Sequence, residues 1–178
     1  YKNLVSTVEA NLPKFHRYLE LRKRLMGLDA MHFYDLYTQP VEEVELKIPY
    51  PEATNLMLEA FTPLGDDYAA ALKEAFGSRW IDVYENVGKR SGAYSGGTYG
   101  TPAYILLNYQ DQLRDVFTLA HELGHSMHSY FTRKTQPFVY GSYTIFVAEV
   151  ASTLNENLLT DYQVRNRDDE ALRRRLIV

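Results

Sequence analysis

The sequence predicts an α+β fold that is predominantly helical and contains one small β-sheet. Apolar residues recur at helical spacing in the first and last parts of the chain. Between these parts, Trp80 to Tyr84 alternates apolar and polar residues like a strand, and Tyr104 to Leu107 is a second short strand. A glycine-rich loop, Gly92 to Gly100, separates the two strands. The predicted order is therefore helices, a small sheet, and then long helices.

The composition is that of a globular protein. Of the 178 residues, 46% are hydrophobic and 24% are charged, a mixture that can bury a core. The formal net charge is -4 and the basic residues are spread along the chain, so we expect no nucleic-acid partner. No apolar run is long enough to cross a membrane, so we expect no membrane partner. The chain has no cysteine, so any metal must be held by histidine and carboxylate side chains.

Helices are predicted for most of the first part of the chain. Two helical stretches open it, the second running from about Pro13 to Met26. Val41 to Ile48 alternates apolar and acidic residues and fits either a strand or an extended linker. Two further helices fit Glu52 to Phe61 and Asp66 to Phe76.

The last part of the chain is predicted to contain three helices. Two long ones cover about Leu113 to Thr132 and Tyr143 to Thr160, and another begins near Asp168. The ends indicate a piece of a longer protein. Tyr1 is not an initiator methionine, and the final helical stretch stops at Val178 without a glycine or proline signal.

The strongest chemical motif is His121-Glu122-Leu123-Gly124-His125. A helix places residues i and i+4 on one face about one turn apart, so both imidazoles can reach a single ion. Glu122 then lies beside that ion, where it can take a proton from a metal-bound water and pass it to a leaving amine. This is the pattern of a zinc metallopeptidase.

The helical wheel supports this interpretation. The ionisable residues of the segment fall within one arc of about 120°: His121, Glu122, His125 and His128. The apolar residues fall on the opposite side: Val116, Leu119, Leu123, Met127 and Tyr130. A solvated polar face with coincidental histidines is the alternative. It is disfavoured because three of the five histidines in the chain lie in this short segment.

A catalytic zinc site needs a third protein ligand and an open position for water. The metzincin extension would require glycine at position 128 and histidine at position 131, and His128 and Phe131 exclude that class. A carboxylate on the next predicted helix remains. Glu149 is favoured because it lies among apolar neighbours, where an unpaired carboxylate would be costly. Glu156, two turns further on, either supports a ligand from behind or is a surface or capping acid.

Several segments together resemble the thimet oligopeptidase family of zinc peptidases, and within it oligoendopeptidase F. The segments that carry the resemblance are His32 to Tyr37, Arg79 to Tyr84, Lys89 to Gly97, Tyr104 to Asn108, Phe117 to Tyr130 and Phe146 to Ser152. They span most of the chain.

The resemblance implies a zincin-type catalytic segment of a cytosolic enzyme with two lobes and a deep channel. It implies one zinc ion per chain, held by His121, His125 and Glu149, with Glu122 as the general base. The implied substrates are short unstructured peptides that are cut at internal bonds. The family has further active-site groups C-terminal to this segment. We therefore expect that the chain alone is poorly active and that its partner is the remainder of the parent protein.

The glycine-rich loop suggests how such a peptide is held. An exposed strand edge binds an extended peptide through main-chain hydrogen bonds, and Tyr104 to Asn108 is the expected edge. Gly96 and Gly97 would let the peptide backbone approach closely. His128 is about 10.5 Å from His121 along the helix axis, too far to share the ion. It either lines the cleft or is a packing histidine, and with Gly96, Gly97 and Tyr104 it completes the candidate substrate-binding residues.

The expected organisation is a helical part at about 1–77 and a zinc-binding part at about 78–178. Two other functions are compatible with the same residues. One is a peptide-binding protein that keeps the helix pair without turnover, and the other is a structural zinc module. Three protein ligands with an open position favour catalysis over a structural site.

Overall fold

The computed structural model describes residues 1–41, 46–166, 168 and 170–177. Its helices are α1 (Lys2–Leu25), α2 (Tyr50–Ala60), α3 (Asp66–Gly77), α4 (Leu113–Thr135), α5 (Ile145–Asn166) and α6 (Glu170–Ile177). Its strands are β1 (Ile81–Asp82), β2 (Tyr94–Gly96) and β3 (Tyr104–Leu106). The predominantly helical α+β class predicted from the sequence is confirmed. Among the described residues, no helix combines the length and the apolar character that a membrane span requires.

The chain divides into two compact units. One consists of Tyr1–Val44 and Asp168–Val178, and the other is Glu45–Arg167. The second unit contains α2 to α5 and the whole sheet. The boundary expected near residue 77 falls inside this unit, between α3 and β1. The helices on both sides of that position therefore contribute to one compact body.

The first unit is organised around α1, which is one helix where the sequence suggested two. Pro13 lies inside it. A proline removes one helical hydrogen bond, but this residue is exposed, so water can bind the carbonyl that is left unpaired. Arg22 is 5% exposed, and its guanidinium donates to the carbonyls of Asp35, Leu36 and Thr38. These bonds hold the 3-10 turn after α1 and satisfy a buried charge.

The core of the second unit is built on the apolar side of α4. Val116, Leu119 and Leu123 are fully buried and Met127 is 1% exposed, as the helical wheel predicted. Val116, Leu119 and Leu123 share one cluster with residues from the elements around α4: Met57 of α2, Leu72 of α3, Ile105 of β3 and Leu159 of α5. Met127 belongs to a second cluster, with Ala71, Ala75 and Trp80. Because this side of α4 faces the core, the opposite side is left for polar groups.

The sheet has the strand order β1-β3-β2, with β1 parallel and β2 antiparallel to β3. The expectation that Tyr104 to Asn108 forms a free edge is wrong, because β3 is paired on both sides. The edge strand on this side is β2, which lies inside the segment predicted as the glycine-rich loop. Part of the predicted strand or linker at Val41 to Ile48, residues 42–45, lies outside the described residues. Lys47 forms an isolated antiparallel bridge with Gln112.

Helices α4 and α5 approach each other most closely at Gly124. A Cβ atom on this glycine would lie 2.5 Å from Ser152 Cα and 2.7 Å from the carbonyl oxygen of Ala151. These are backbone atoms of α5 and cannot rotate away. Glycine at this position therefore permits the contact between the two helices.

We expect Gly124→Ala to lower the free energy of unfolding by about 1–3 kcal/mol, the usual cost of overpacking a core. The matched control is Gly77→Ala, since nothing lies within 4 Å of a Cβ added there. That change should stabilise the chain slightly, by less than about 1 kcal/mol. Urea unfolding of both variants measures the difference. Equal effects would show that the helix contact does not require glycine.

Candidate active site

Helix α4 places His121 and His125 one turn apart on the side that faces away from the core. Their Nε2 atoms are 3.1 Å apart. Helix α5 brings Glu149 to the same point, with Oε2 at 3.3 Å from His121 Nε2 and 3.5 Å from His125 Nε2. One donor atom from each of the three residues lies within 4.8 Å of the others. The structure thus brings together the three residues that the sequence analysis named as candidate ligands.

These donors fit a zinc ion. Two imidazole nitrogens and one carboxylate oxygen are the set that catalytic zinc takes from a protein. Both imidazoles have a further partner. His121 Nδ1 lies 2.6 Å from Glu156 Oε1, and the His125 ring is hydrogen-bonded to the backbone of Ala148. Such partners fix which nitrogen carries the proton, and here they direct Nε2 of both rings towards Glu149.

Glu156 therefore lies behind a ligand and outside the donor cluster. Of the alternatives left open by the sequence, the contact with His121 favours the supporting role over the surface or capping role. Ser152 has a similar relation to Glu149, since its hydroxyl donates to Glu149 Oε2 at 2.7 Å. This hydrogen bond is the main reason that the pKa of Glu149 is lowered, and the two histidines lower it further.

The argument from burial that favoured Glu149 is wrong, although the residue is at the expected place. Its side chain is 57% exposed, and the apolar neighbours Phe146 and Val150 are 42% and 50% exposed. Glu149 is therefore not buried among apolar residues. It reaches the cluster because α5 crosses α4 at Gly124, only one residue before His125.

Glu122 points towards the sheet and is 7% exposed. Desolvation by burial raises its pKa, His121 lowers it, Glu149 raises it, and a hydrogen bond from the Ser95 backbone lowers it. Burial is the largest of these effects, so Glu122 holds a proton more readily than a surface carboxylate does. Sequence reasoning missed Ser95, because a main-chain donor has no side-chain signal.

His128 lies outside the donor cluster, as the helix spacing indicated. Its ring stacks on Tyr143, with centroids 3.6 Å apart and planes 8° apart. The Tyr143 hydroxyl donates to the backbone carbonyl of His125 at 3.3 Å and is 3.0 Å from Ser129 Oγ. Burial lowers the pKa of His128, and His125 lowers it further. Of the two roles considered, this contact favours packing, in which His128 braces the segment before α5.

The remaining candidate residues lie on the sheet and its loop. Gly96 of β2 is paired with Tyr104 of β3, whose side chain is 49% exposed. Gly97 has φ +156°, and a Cβ there would lie 2.5 Å from the carbonyl oxygen of Pro102. Its own carbonyl accepts a hydrogen bond from Arg133 at 2.8 Å. Gly97 is therefore needed for the fit of the loop itself.

A histidine pair on one helix, a carboxylate on the next helix and a small flanking sheet together define a zincin-type fold. The chain belongs to peptidase family M3, whose family model matches residues 1–174. It is 55% identical over 173 residues to oligopeptidase PepF of Bacillus subtilis (strain 168), which covers 97% of this chain and 26% of PepF. It is 50% identical over 170 residues to the chromosomal oligoendopeptidase F of Lactococcus lactis subsp. cremoris, covering 96% of this chain and 28% of that protein.

Solved structures agree. A crystal structure of a protein from Chlamydophila abortus has a TM-score of 0.85 and 44% identity, covering 99% of this chain and 29% of that one. Oligoendopeptidase F from Enterococcus faecium has a TM-score of 0.55 and 35% identity, covering 99% of this chain and 23% of that one. The resemblance stated from the sequence is confirmed. The chain spans about a quarter of the length of the relatives that it matches.

The contact between Glu156 and His121 predicts an effect on metal affinity. Glu156→Gln keeps the size of the side chain but removes the charge that orients the imidazole. We expect zinc to bind about 10- to 100-fold more weakly, as is typical when such a supporting group is lost. Competition with a chromophoric chelator measures the affinity. Glu74→Gln, which changes an exposed acid of α3, is the control, and equal affinities in the two variants would contradict the role of Glu156.

Proposed function

We propose that the protein containing this chain is a zinc metalloendopeptidase that hydrolyses internal bonds of short unstructured peptides. The observation that carries the proposal is the convergence of His121, His125 and Glu149 beside the buried carboxylate of Glu122. Membership of peptidase family M3 and similarity to proteins named oligopeptidase and oligoendopeptidase support it.

His121, His125 and Glu149 would hold one zinc ion. When bound, zinc supplies Lewis acidity, which polarises the scissile carbonyl and makes a nearby water more acidic. Glu122 takes the proton of the attacking water, since burial raises the pKa of its carboxyl group. It then gives this proton to the departing amine. The Ser95 N–H holds the carboxylate in place while it does so.

The substrate would lie along β2. This strand is an edge of the sheet, and its residue Ser95 contacts the base. An edge strand binds extended backbone through main-chain groups and does not read side chains, so it admits flexible peptides of many sequences. A folded protein cannot present such a segment.

The two alternative functions are less well supported. A structural zinc site is usually closed by four protein ligands, whereas Glu149 is 57% exposed and leaves its side of the cluster open. A binding protein without turnover has no need of a buried acid beside the ligands. Glu122 is such an acid, so we favour catalysis.

In the zinc-loaded protein that contains this chain, Glu122→Gln should lower turnover by about 10² to 10⁴, the usual contribution of a general base. The amide keeps the shape of the side chain but cannot accept the proton. Zinc content should be unchanged, because Glu122 is not among the three ligands. Hydrolysis of a fluorogenic peptide and zinc analysis of the same sample test this. A variant with full zinc and wild-type turnover would remove Glu122 from the mechanism.

The same protein should cut flexible peptides and spare folded ones, because only extended backbone can pair with β2. A fluorogenic oligopeptide is compared with a stable globular protein that contains the same cleavable sequence in a helix. We expect rapid cleavage of the peptide alone. A destabilised variant of the globular protein, unfolded under the assay conditions, is the control that exposes the sequence. Cleavage of the native protein at the rate of the peptide would disprove the edge-strand model.

A further inference from the structure

We propose that Arg114 binds a carboxylate of the peptide substrate, on the C-terminal side of the scissile bond. This inference rests on the proposed function and adds a specificity site to it. The feature that points to it is a groove of about 310 Å³ that is lined by Arg114, a residue of the helix that carries His121 and His125.

The groove lies between α4 and the sheet. Arg114 and Thr118 line it from α4, Ala93 lines it from just before β2, and Leu107 and Asn108 line it from just after β3. Asn108 Nδ2 donates to the backbone carbonyls of Arg90 and Gly92 at 2.9 and 2.8 Å. These bonds hold the wall opposite α4 in place, so the groove is built by the fold and not by a loose surface loop.

The groove continues the candidate active site along α4. Arg114, Thr118 and His121 are spaced at i, i+4 and i+7, so they lie on one face of the helix. At 1.5 Å per residue, Thr118 is about 4.5 Å and Arg114 about 10.5 Å from His121 along the axis. Arg114 therefore lies on the face of α4 that carries the two histidines, about two turns before His121.

Strand β2 runs beside α4 in the same direction. Ala93 borders the groove with Thr118, and Ser95 is hydrogen-bonded to Glu122. Gly97 accepts a hydrogen bond from Arg133, near the other end of the helix. The edge of β2 thus leads from the groove, past the base, to the C-terminal half of α4.

The direction of a bound peptide follows from this arrangement. Antiparallel strand pairs are two to three times as common as parallel ones, and a peptide antiparallel to β2 points its C-terminal half towards Ala93. At about 3.4 Å per residue, the 10.5 Å to Arg114 corresponds to about three residues beyond the scissile bond. The carboxylate would therefore come from a side chain near that position or from the C-terminus of a short peptide.

Two charged side chains line the groove, Arg114 and Asp115. The side chain of Arg114 is 75% exposed, and its Nε is 3.7 Å from Asp115 Oδ1. Asp115 is committed to the start of α4, because its Oδ2 accepts hydrogen bonds from the backbone N–H groups of Gln110 and Gln112. The Nη atoms of Arg114 form no hydrogen bond to any other residue in the described part of the chain. A guanidinium presents two parallel donors that match a carboxylate.

The test uses the zinc-loaded protein that contains this chain. Its substrates are peptides that differ only in the groups that could reach Arg114. Three peptides carry Glu, Gln or Lys at the third residue after the scissile bond, and each is made with a free and with an amidated C-terminus. In the wild type, we expect kcat/KM to be about tenfold higher for a peptide whose carboxylate reaches Arg114 than for the peptide in which this group is an amide. The two peptides compared are Glu and Gln at the third residue, or the free and the amidated C-terminus. Arg114→Ala should bring this ratio close to 1, and Arg114→Glu should reverse it in favour of Lys.

Two controls make the result specific. Arg165→Ala removes an arginine of α5 that is 73% exposed and paired with Asp161, and it should keep the wild-type ratio. Arg114→Lys keeps the charge without the paired donors and should keep part of the ratio. A preference that amidation abolishes assigns the site to the peptide C-terminus, and one that survives amidation assigns it to a side chain.

A measurement of peptide binding without turnover tests this inference separately from the proposed function. The Kd of each peptide is measured by fluorescence anisotropy in the zinc-loaded Glu122→Gln protein, with and without Arg114→Ala. If the wild type hydrolyses nothing but binding still depends on the peptide carboxylate and on Arg114, the proposed function fails and the binding site stands. Equal wild-type affinity for the Glu, Gln and amidated peptides would overturn the inference, and so would an equal loss for every peptide in Arg114→Ala.

Discussion

The contact between α4 and α5 at Gly124 is the constraint on which the candidate site depends. His121 and His125 belong to one helix and Glu149 to the other, so the distance between the helices decides whether the donors meet. Gly124 lies between the two histidines in sequence, and Ser152 Cα packs where its side chain would be. The turn of α4 that carries both imidazoles is therefore the turn that touches α5. Because backbone packs against backbone here, any side chain at this position would push the two helices apart.

Close to this contact, the buried side of α5 carries two polar residues that are paired. Ser152 and Asn155 are both buried. Ser152 donates to Glu149, while Asn155 donates to the carbonyl of Ala120 and to the hydroxyl of Tyr68 on α3. Buried polar groups are costly without partners, and when paired they fix one arrangement of their helices. Packing alone would hold α5 against α4, but these bonds also fix its rotation, which decides where Glu149 points.

This explains what the sequence could and could not predict. The motif on α4 was predictable because its geometry is local: one helical turn places His121 and His125 together, and the apolar stripe shows which side is buried. Helix α5 lacks such a stripe, since apolar Ile145 and Val150 are exposed while Ser152 is buried. Its residue pattern therefore does not indicate which side faces α4, and the place of Glu149 depends on the tertiary contact. The strand order could not be predicted either, because the pairing of β3 with both β1 and β2 depends on contacts between distant parts of the chain.

The positions of the edge strand β2 and of Glu122, the proposed base, depend on each other. The Ser95 N–H that reaches Glu122 is a main-chain donor of β2, so any movement of this strand also moves a hydrogen bond of the carboxylate. Two residues further on, Gly97 is held by Arg133 from the far part of α4. Strand β2 and the residue that follows it are thus joined to α4 at two points, on either side of His125. A peptide that pairs with the edge of β2 would meet the proposed base at a fixed register, because one helix positions the strand, Glu122 and two of the three candidate metal donors.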